Sequence, residues 1–273
     1  MTHNLEDWAN YAYSLAEKAG EKIMHYYAKV QTLKPEYKED NSPLTDADKA
    51  AHDIIYQGLV QYALDKEGPA PVLSEEGQQF PFAVRQTWHR YWCVDPLDGT
   101  REFLAQNGEF AVNIALITQH EPVLGIIYVP AQKLGYLAWR GGGAYRCDSA
   151  GNRQRILVQS PPHQPWRVLV SRHCSTIQLQ PWLTALGETT LDNRGSSLKF
   201  GALASGEADI MLRLSPTSEW DNAAGHCILE EAGGAIFCLD GQPLSYNRSG
   251  TLIQGHFVAV GDKFVNWENI FKF

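Results

Sequence analysis

The segment Tyr91–Thr100 constrains the fold more than any other stretch of this sequence. It opens with an apolar run, Tyr91–Val94, that is typical of a buried strand, and the run is interrupted by Asp95-Pro96 and then by Asp98-Gly99. Both dipeptides favour turns, and the glycine lets the backbone approach a ligand closely. The sequence therefore predicts a strand that ends in a tight turn carrying two carboxylates. A surface turn explains either dipeptide alone, but other acidic segments of the chain favour a binding site.

Length and composition predict a folded protein that does not span a membrane. With 273 residues, the chain is long for one core and short for two independent domains, so we expect one compact unit with two lobes. Its content of 44% hydrophobic and 20% charged residues is ordinary for a globular protein. No apolar run approaches the roughly 20 residues that cross a bilayer, and the start lacks a signal-peptide pattern. We expect a cytoplasmic protein without a transmembrane segment, and we leave open whether it associates with the inner face of the cell membrane.

The charge balance and the cysteines exclude further classes. The net charge is −8 and the pI is about 5.6, which disfavours a nucleic-acid polymer as partner because duplex binding needs a basic surface. A small nucleotide could still bind a local basic pocket. The five cysteines are scattered and include no C-x-x-C pair, so neither a disulfide framework nor a zinc site is expected. The sequence does not indicate an oligomeric state.

Residues 1–160 are predicted to form an α+β lobe. Two helices come first, and Thr45 or Asp46 would cap the second of them. Closely spaced apolar segments after the turn predict an antiparallel meander. The glycines at 141–143 could cradle phosphate, but they precede a strand rather than a helix, so a hairpin is favoured. The predicted elements are helices over 5–29 and 46–64 and strands over 71–73, 91–94, 110–119, 122–129 and 133–140.

Residues 161–273 are predicted to form an α/β lobe. The boundary is placed at the proline-rich stretch 160–165. Strands and helices then alternate, which indicates largely parallel strands with ligands at their carboxyl ends. The predicted strands cover 166–171, 189–191, 208–212 and 235–238, and the predicted helices cover 177–186, 197–205 and 221–232.

Four segments together resemble a known family. They are SPLTDAD at 42–48, LSEEG at 73–77, DPLDGT at 95–100 and EWDNAAG at 219–225. They resemble the inositol monophosphatase superfamily of metal-dependent, lithium-sensitive phosphatases, and the resemblance spans most of the chain. It implies an α/β protein that folds as a layered α-β-α-β-α sandwich.

Three further segments point to one branch of that superfamily. DGTREF at 98–103, GEFAVNIAL at 108–116 and GSSLKF at 195–200 look like the bacterial 3'(2'),5'-bisphosphate nucleotidases. The resemblance implies hydrolysis of adenosine 3',5'-bisphosphate to AMP and phosphate, and action on its sulfated relative. Related nucleotidases carry Ser-x-Ser-His where this chain has Ser171-Arg172-His173-Cys174, so a base-stacking role for His173 stays open.

The acidic residues imply a metal site. Clustered carboxylates repel one another unless cations neutralise them, and ligands that are all oxygen select hard ions such as Mg2+. The resemblance implies two or three Mg2+ ions that activate water without a covalent phosphoenzyme. The implied metal ligands are Glu75, Asp95, the Leu97 carbonyl, Asp98, Asp221 and Asp48. The implied catalytic residues are Asp48, Thr100 and Glu75, and the implied substrate-binding residues are Gly99, Thr100, Ser196, Ser197, Lys199, Arg213 and Asp221.

Structural alternatives remain for three of these residues. Asp48 could merely complement the dipole of the second helix, and Asp221 could be an N-cap. Arg213 could form a salt bridge that only shapes its loop. The acidic neighbours available for such a bridge are Glu207, Asp209 and Glu219.

Two functional alternatives also remain. One is an inositol-phosphate or fructose-bisphosphate phosphatase that uses the same metal core. The other is a non-catalytic phosphate or nucleotide sensor. The Asp48–Thr100 pair argues against a sensor, because a binding module has no need to activate water.

Overall fold

The computed structural model describes residues 5–32, 36–37, 43–66, 70–172 and 174–271. Its helices are α1 (Leu5–Tyr27), α2 (Asp46–Lys66), α3 (Phe82–Arg85), α4 (Thr100–Leu104), α5 (Thr176–Leu186), α6 (Leu198–Ala204), α7 (Glu219–Glu231) and α8 (Trp267–Phe271). Its strands are β1 (Glu36–Tyr37), β2 (Pro43–Leu44), β3 (Val72–Ser74), β4 (Arg90–Asp98), β5 (Ala111–Thr118), β6 (Glu121–Val129), β7 (Leu134–Trp139), β8 (Gly143–Cys147), β9 (Arg153–Ile156), β10 (Trp166–Val170), β11 (Thr189–Asn193), β12 (Ile210–Arg213), β13 (Thr217–Ser218), β14 (Ala235–Cys238), β15 (Ile253–Gln254) and β16 (Phe257–Val260). Within these ranges, no helix combines the length and the hydropathy that a bilayer span requires.

Strands β3 to β9 form a seven-stranded sheet in sequence order. Strands β3 and β4 are parallel, and every other neighbouring pair is antiparallel. This arrangement confirms the predicted meander and the predicted hairpin between β7 and β8. The sequence pattern does not predict β9, because its first three residues are polar and exposed.

Successive side chains of β4 enter two different cores. Trp92 and Val94 pack with apolar residues of α1 and α2. Tyr91 and Cys93 pack on the opposite side with apolar residues of α6 and α7. Because neighbouring side chains of a strand point to opposite faces, a run that is apolar at every position needs cover on both faces. The first sheet is therefore covered by a helical layer on each side.

The second sheet has the strand order β11-β10-β12-β16-β14. Strand β10 is parallel to β11 and β12, whereas β16 is antiparallel to β12 and β14. Four strands thus share one direction, as the alternation of strands and helices predicts. Helices α6 and α7 cover one face and α5 and α8 cover the other. The layers follow the order α1/α2, first sheet, α6/α7, second sheet and α5/α8, which confirms the expected sandwich.

Some boundaries differ from the predictions. Strand β4 continues to Asp98 instead of ending at Val94, and α7 begins at Glu219 instead of Asp221. The predictions also omit β16 and α8. The proline-rich stretch 160–165 lies between the last strand of the first sheet and the first strand of the second. The division into lobes 1–160 and 161–273 stays a prediction, since α7 packs against β5 and β6 of the first sheet.

Candidate active site

A β-bulge in β4 puts two carboxylates on the same side of the first sheet. Asp95 pairs with Asn113 of β5 and Asp98 pairs with Ala111, so two residues of β4 oppose one residue of β5 between these pairs. In a regular strand, residues three positions apart point to opposite faces. The extra residue restores a common face for the two aspartates. Bulges also tolerate proline, which explains why Pro96 lies within the strand.

Asp221 joins these two carboxylates from α7. One carboxylate oxygen from each of Asp95, Asp98 and Asp221 lies within 4.8 Å of the other two. Asp221 is the third residue of α7, and its Oδ2 accepts a hydrogen bond from the backbone N–H of Ser218 at 2.9 Å. The N-cap is therefore Ser218 rather than Asp221, and Asp221 acts as the carboxylate of a capping box. One side chain thus both supports the start of a helix and contributes to the acidic cluster.

Glu75 faces the cluster from the turn after β3. Because β3 and β4 are parallel, their carboxyl ends deliver Glu75 and Asp95 to the same edge of the sheet. The backbone N–H of Glu75 donates to the Val94 carbonyl at 3.1 Å, which anchors the turn. Glu75, Leu97 and Thr100 line a cavity of about 190 Å³ together with the three clustered aspartates.

Electrostatic repulsion within the cluster favours bound cations. Burial raises the pKa of Asp95 well above its usual value, and the charges of Glu75, Asp98 and Asp221 raise it further. Burial also raises the pKa of Asp221 to about 7, with contributions from Asp98 and Glu75. Mg2+ prefers oxygen ligands of this kind. The residues present therefore fit a hard divalent cation.

Asp48 lies in the first turn of α2 and contacts the predicted catalytic threonine. Its Oδ2 accepts hydrogen bonds from the backbone N–H and the hydroxyl of Thr45 at 2.8 and 2.6 Å. The Thr45 hydroxyl also accepts a hydrogen bond from the backbone N–H of Ala47 at 3.2 Å, so Thr45 rather than Asp46 caps α2. Its Oδ1 accepts a hydrogen bond from the hydroxyl of Thr100 at 3.2 Å. Burial raises the pKa of Asp48 to about 6 despite the opposing hydrogen bonds from Thr45. Asp48 therefore supports the start of α2 and also contacts Thr100, and its metal-binding and catalytic roles stay predictions.

Ser196 and Ser197 contact a predicted metal ligand. The hydroxyl of Ser196 and the backbone N–H of Ser197 donate to Oδ2 of Asp98 at 2.5 and 2.6 Å. The Ser197 hydroxyl donates to Oδ1 of Asn113 at 2.7 Å. These bonds orient the Asp98 carboxylate. Binding of substrate by the two serines stays a prediction.

A second cavity of about 380 Å³ adjoins the acidic cluster. Asp98, Gly99 and Asp221 border both cavities. The basic residues that line the larger cavity are Arg101, Arg172, Arg194, Lys199 and Arg213. A cavity rich in basic side chains therefore lies next to the carboxylates that fit a metal ion.

Arg213 has no acidic partner among the three carboxylates proposed for it. Its Nη1 donates to the Ser171 hydroxyl at 2.9 Å, and its buried Nε has no hydrogen-bond partner within the described residues. The three candidate carboxylates have other partners: Asp209 binds Arg167, Glu207 binds Arg194, and Glu219 accepts hydrogen bonds from Tyr91 and the backbone of Asn247. The salt-bridge alternative is therefore wrong, and binding of substrate by Arg213 stays a prediction.

Lys199 is buried beneath the same cavity. Its Nζ donates to the carbonyl oxygens of Arg194 and Ser196 at 3.0 and 2.7 Å. Burial and, to a lesser extent, the charge of Arg213 lower its pKa to about 8. Lys199 therefore supports the turn that carries the two serines, while its predicted contact with substrate stays a prediction. His173 lies outside the described residues.

Two residues near the site escape the sequence analysis. Asn113 binds Asp98 and Ser197, and Glu109 accepts a hydrogen bond from the backbone of Gly195 at 2.7 Å. Asn113 has a detectable signal, since it is a lone amide in the apolar run AVNIAL at 111–116. Glu109 has none beyond its place in the segment GEFAVNIAL.

The layered fold and the carboxylate cluster beside a basic cavity are features of metal-dependent phosphatases. The model of the inositol monophosphatase family matches residues 4–262. The 3'(2'),5'-bisphosphate nucleotidase CysQ of Salmonella typhimurium is 44% identical over 247 residues, which cover 90% of this chain and 97% of that protein. The corresponding CysQ of Escherichia coli K12 is 42% identical over 247 residues, with the same coverage of 90% and 97%.

Comparison with solved structures supports the same family. The crystal structure of CysQ from Bacteroides thetaiotaomicron, a bacterial member of the inositol monophosphatase family, superposes with a TM-score of 0.78 at 37% identity. The match covers 95% of this chain and 99% of that chain. The chain belongs to the inositol monophosphatase family, and the resemblance drawn from its motifs is confirmed.

Proposed function

We propose that the chain is a Mg2+-dependent 3'(2'),5'-bisphosphate nucleotidase that converts adenosine 3',5'-bisphosphate to AMP and phosphate. Its sulfated relative, which carries the same 3'-phosphate, is a second substrate. The observation that carries this proposal is the wall of Asp98, Gly99 and Asp221 shared by the acidic cavity and the basic cavity. One phosphate can meet the carboxylates and their cations while a second phosphate of the same molecule meets the basic side chains. The names of the full-length relatives support the same substrate class.

The carboxylates hold the metal in this proposal. The ligands are Glu75, Asp95, Asp98 and Asp221 with the Leu97 carbonyl, and Asp48 lies at the edge of the set. Two or three bound Mg2+ ions supply positive charge for the phosphoryl oxygens and lower the pKa of bound water. The hydrogen bonds from Ser196 and Ser197 keep Asp98 turned towards the cluster.

Thr100 and Asp48 act on the attacking water. The Thr100 hydroxyl donates to Asp48 and also lies 3.3 Å from the carbonyl oxygen of Leu97, one of the proposed metal ligands. In this position the hydroxyl orients the water, and the pair accepts its proton. The water oxygen bonds to phosphorus, the bond from phosphorus to the 3'-oxygen breaks, and the 3'-oxygen takes up a proton. The backbone N–H groups of Gly99 and Thr100 receive phosphate oxygens.

The basic cavity holds the part of the substrate that is not cleaved. Arg213 offers donors without a carboxylate partner, and Lys199 adds positive charge beneath the cavity floor. Charge-assisted hydrogen bonds to phosphate are worth roughly twice as much as neutral ones. A bisphosphate therefore gains binding energy that a monophosphate lacks.

Release of inorganic phosphate from three substrates tests the proposal. The substrates are adenosine 3',5'-bisphosphate, inositol 1-phosphate and fructose 1,6-bisphosphate, each with Mg2+. We expect the nucleotide to have the highest kcat/KM. Faster turnover of inositol 1-phosphate or fructose 1,6-bisphosphate would show that the protein is an inositol-phosphate or fructose-bisphosphate phosphatase. Binding of these compounds without turnover would show that it is a non-catalytic sensor.

A further inference from the structure

Glu109 connects two segments that border the basic cavity. Its carboxylate accepts hydrogen bonds from Nε and Nη2 of Arg172 at 2.8 and 2.5 Å. Its Oε2 also accepts the backbone N–H of Gly195 at 2.7 Å. Glu109 lies just before β5 of the first sheet, whereas Arg172 follows β10 and Gly195 follows β11 of the second sheet. One carboxylate therefore joins the two sheets at the edge of the cavity.

The contact between Glu109 and Gly195 affects the acidic cluster through the turn that follows Gly195. The two residues after Gly195 donate to Oδ2 of Asp98, so the position of this turn sets the orientation of that carboxylate. The turn is tightly packed against Glu109, because a Cβ atom at Gly195 would lie 3.0 Å from Oε2 of Glu109. Lys199 holds the same turn from below through the carbonyl oxygens of Arg194 and Ser196.

The contact between Glu109 and Arg172 also affects Arg213, the residue proposed to bind the second phosphate. Arg172 follows Ser171, and the Ser171 hydroxyl accepts a hydrogen bond from Nη1 of Arg213 at 2.9 Å. The bidentate pair with Glu109 therefore fixes the backbone segment on which Arg213 rests. Although burial opposes it, hydrogen bonds from Arg172 and Gly195 hold the pKa of Glu109 below its usual value. Glu109 is thus a carboxylate at neutral pH.

We propose that Glu109 is a positioning residue that orients Asp98 through the turn 195–197 and holds Arg213 in place through Arg172. The proposal rests on the proposed function, because it assigns Asp98 to the metal and Arg213 to the uncleaved phosphate. Glu109 itself touches neither the metal nor the substrate. Its two connections have different consequences, so they can be tested separately.

Glu109→Gln and Arg172→Ala separate the two connections. Glutamine has the size of glutamate but lacks its charge, so it weakens both connections. Arg172→Ala keeps the first connection and removes the second together with one basic side chain of the cavity. We expect Glu109→Gln to weaken Mg2+ binding, measured by calorimetry, by about 10- to 100-fold, which is the usual effect of removing a partner that orients a metal ligand. Its kcat should fall on adenosine 3',5'-bisphosphate and on adenosine 3'-phosphate alike. Arg172→Ala should keep the Mg2+ affinity and raise KM for the bisphosphate only.

Glu121→Gln is the matched control. Glu121 forms a more exposed ion pair, with Arg140 at 2.8 Å, and lies at the opposite end of β5 from Asp98. The Glu121→Gln variant should leave the Mg2+ affinity and the KM values for adenosine 3',5'-bisphosphate and adenosine 3'-phosphate unchanged. If Glu109→Gln lowered only the melting temperature and otherwise matched this control, Glu109 would be structural and the proposal would be overturned. An equal loss of turnover on both substrates in Arg172→Ala would overturn it as well.

The calorimetric comparison also separates this proposal from the proposed function. Failure of the wild-type protein to hydrolyse any nucleotide would overturn the proposed function. In that case, weaker Mg2+ binding by Glu109→Gln than by Glu121→Gln would still show that Glu109 orients Asp98. Equal Mg2+ binding by the two variants would show that it does not. Should Glu109→Gln fold poorly, Glu109→Asp keeps the charge with a shorter reach, and weakened Mg2+ binding by this variant gives the same answer.

Discussion

Thr100 donates its hydroxyl to Oδ1 of Asp48 at 3.2 Å across 52 positions of the sequence, while Oδ2 of the same carboxylate accepts both hydrogen bonds from Thr45. One oxygen of Asp48 therefore supports the start of α2, and the other faces the predicted water-activating threonine. Substitutions can separate these two roles.

We expect Thr100→Ala to lower kcat by about 10²- to 10⁴-fold, the usual scale for positioned acid–base assistance. The dissociation constant for substrate should change little, because the hydroxyl acts on the attacking water rather than on the bound phosphate. Thr100→Ser keeps the hydroxyl and should retain most of the activity. Single-turnover kinetics with an independent binding measurement provide the comparison, and a variant that mainly weakens binding would rule out this role.

Thr45→Ala tests the structural oxygen of Asp48. Loss of an N-cap side chain costs about 0.5–2 kcal/mol of stability. We expect a lower free energy of unfolding in urea with kcat nearly preserved, which is the reverse of Thr100→Ala. Equal losses of kcat in the two variants would show that the two oxygens of Asp48 do not have separate roles.

Removal of metal should make stability depend on pH. The pKa values of Asp95 and Asp221 are raised in the folded protein, so between about pH 4 and pH 7 the folded state holds protons that the unfolded chain has released. Stability in chelator should therefore fall as the pH rises through this interval, and Mg2+ should restore it. Melting temperatures in chelator from pH 5 to pH 8, with and without added Mg2+, measure the effect.

Asp221→Asn should flatten this pH dependence, because it removes one charge from the cluster. The amide keeps a side-chain oxygen for the Ser218 N–H, so α7 retains its cap. Phosphate release should be lost in this variant and in Asp95→Asn. Full turnover by the wild-type protein in chelator would contradict the metal mechanism.

Gly99→Ala should reduce both stability and activity. Gly99 has φ +90°, and a Cβ atom there would lie 3.1 Å from the Glu109 carbonyl oxygen. Gly141→Ala is the control, since Gly141 has φ +77° but nothing within 4 Å of its would-be Cβ atom. Left-handed backbone costs a residue other than glycine roughly 1–2 kcal/mol, so both variants should lose about that much stability. Only Gly99→Ala should also lose kcat, and normal activity of this variant would exclude a close approach of the Gly99 backbone to phosphate.

Many of the strands and helices were predictable from local patterns, whereas the layered sandwich was implied by the family resemblance. The apolar run before Asp95, the segments that form β5 to β7, and the alternation after residue 165 each follow from periodicity and turn residues. Strand β16 and helix α8 are short and have no such signal. The bulge at Pro96 was also not predicted, because proline is read as the end of a strand unless the partner strand is known.

The acidic residues were easier to predict than the residues that support them. Asp48 and Asp221 are near helix starts and Asp95 is beside a turn, so each lies in a recognisable local motif. The contacts of Asp98 with Ser197 and of Ser197 with Asn113 join residues 99 and 84 positions apart. A single sequence gives no indication of such pairings, since they depend on how the two sheets pack.

The most direct test of the account compares wild type and Arg213→Ala on adenosine 3',5'-bisphosphate and adenosine 3'-phosphate. A charge-assisted hydrogen bond is worth roughly 1.5–3 kcal/mol, which corresponds to about a 10- to 150-fold fall in kcat/KM. We expect that fall on the bisphosphate alone, with the monophosphate almost unchanged, because only the bisphosphate has a second phosphate for Arg213 to bind. An equal fall on both substrates would contradict the account and would place the nucleotide pocket elsewhere.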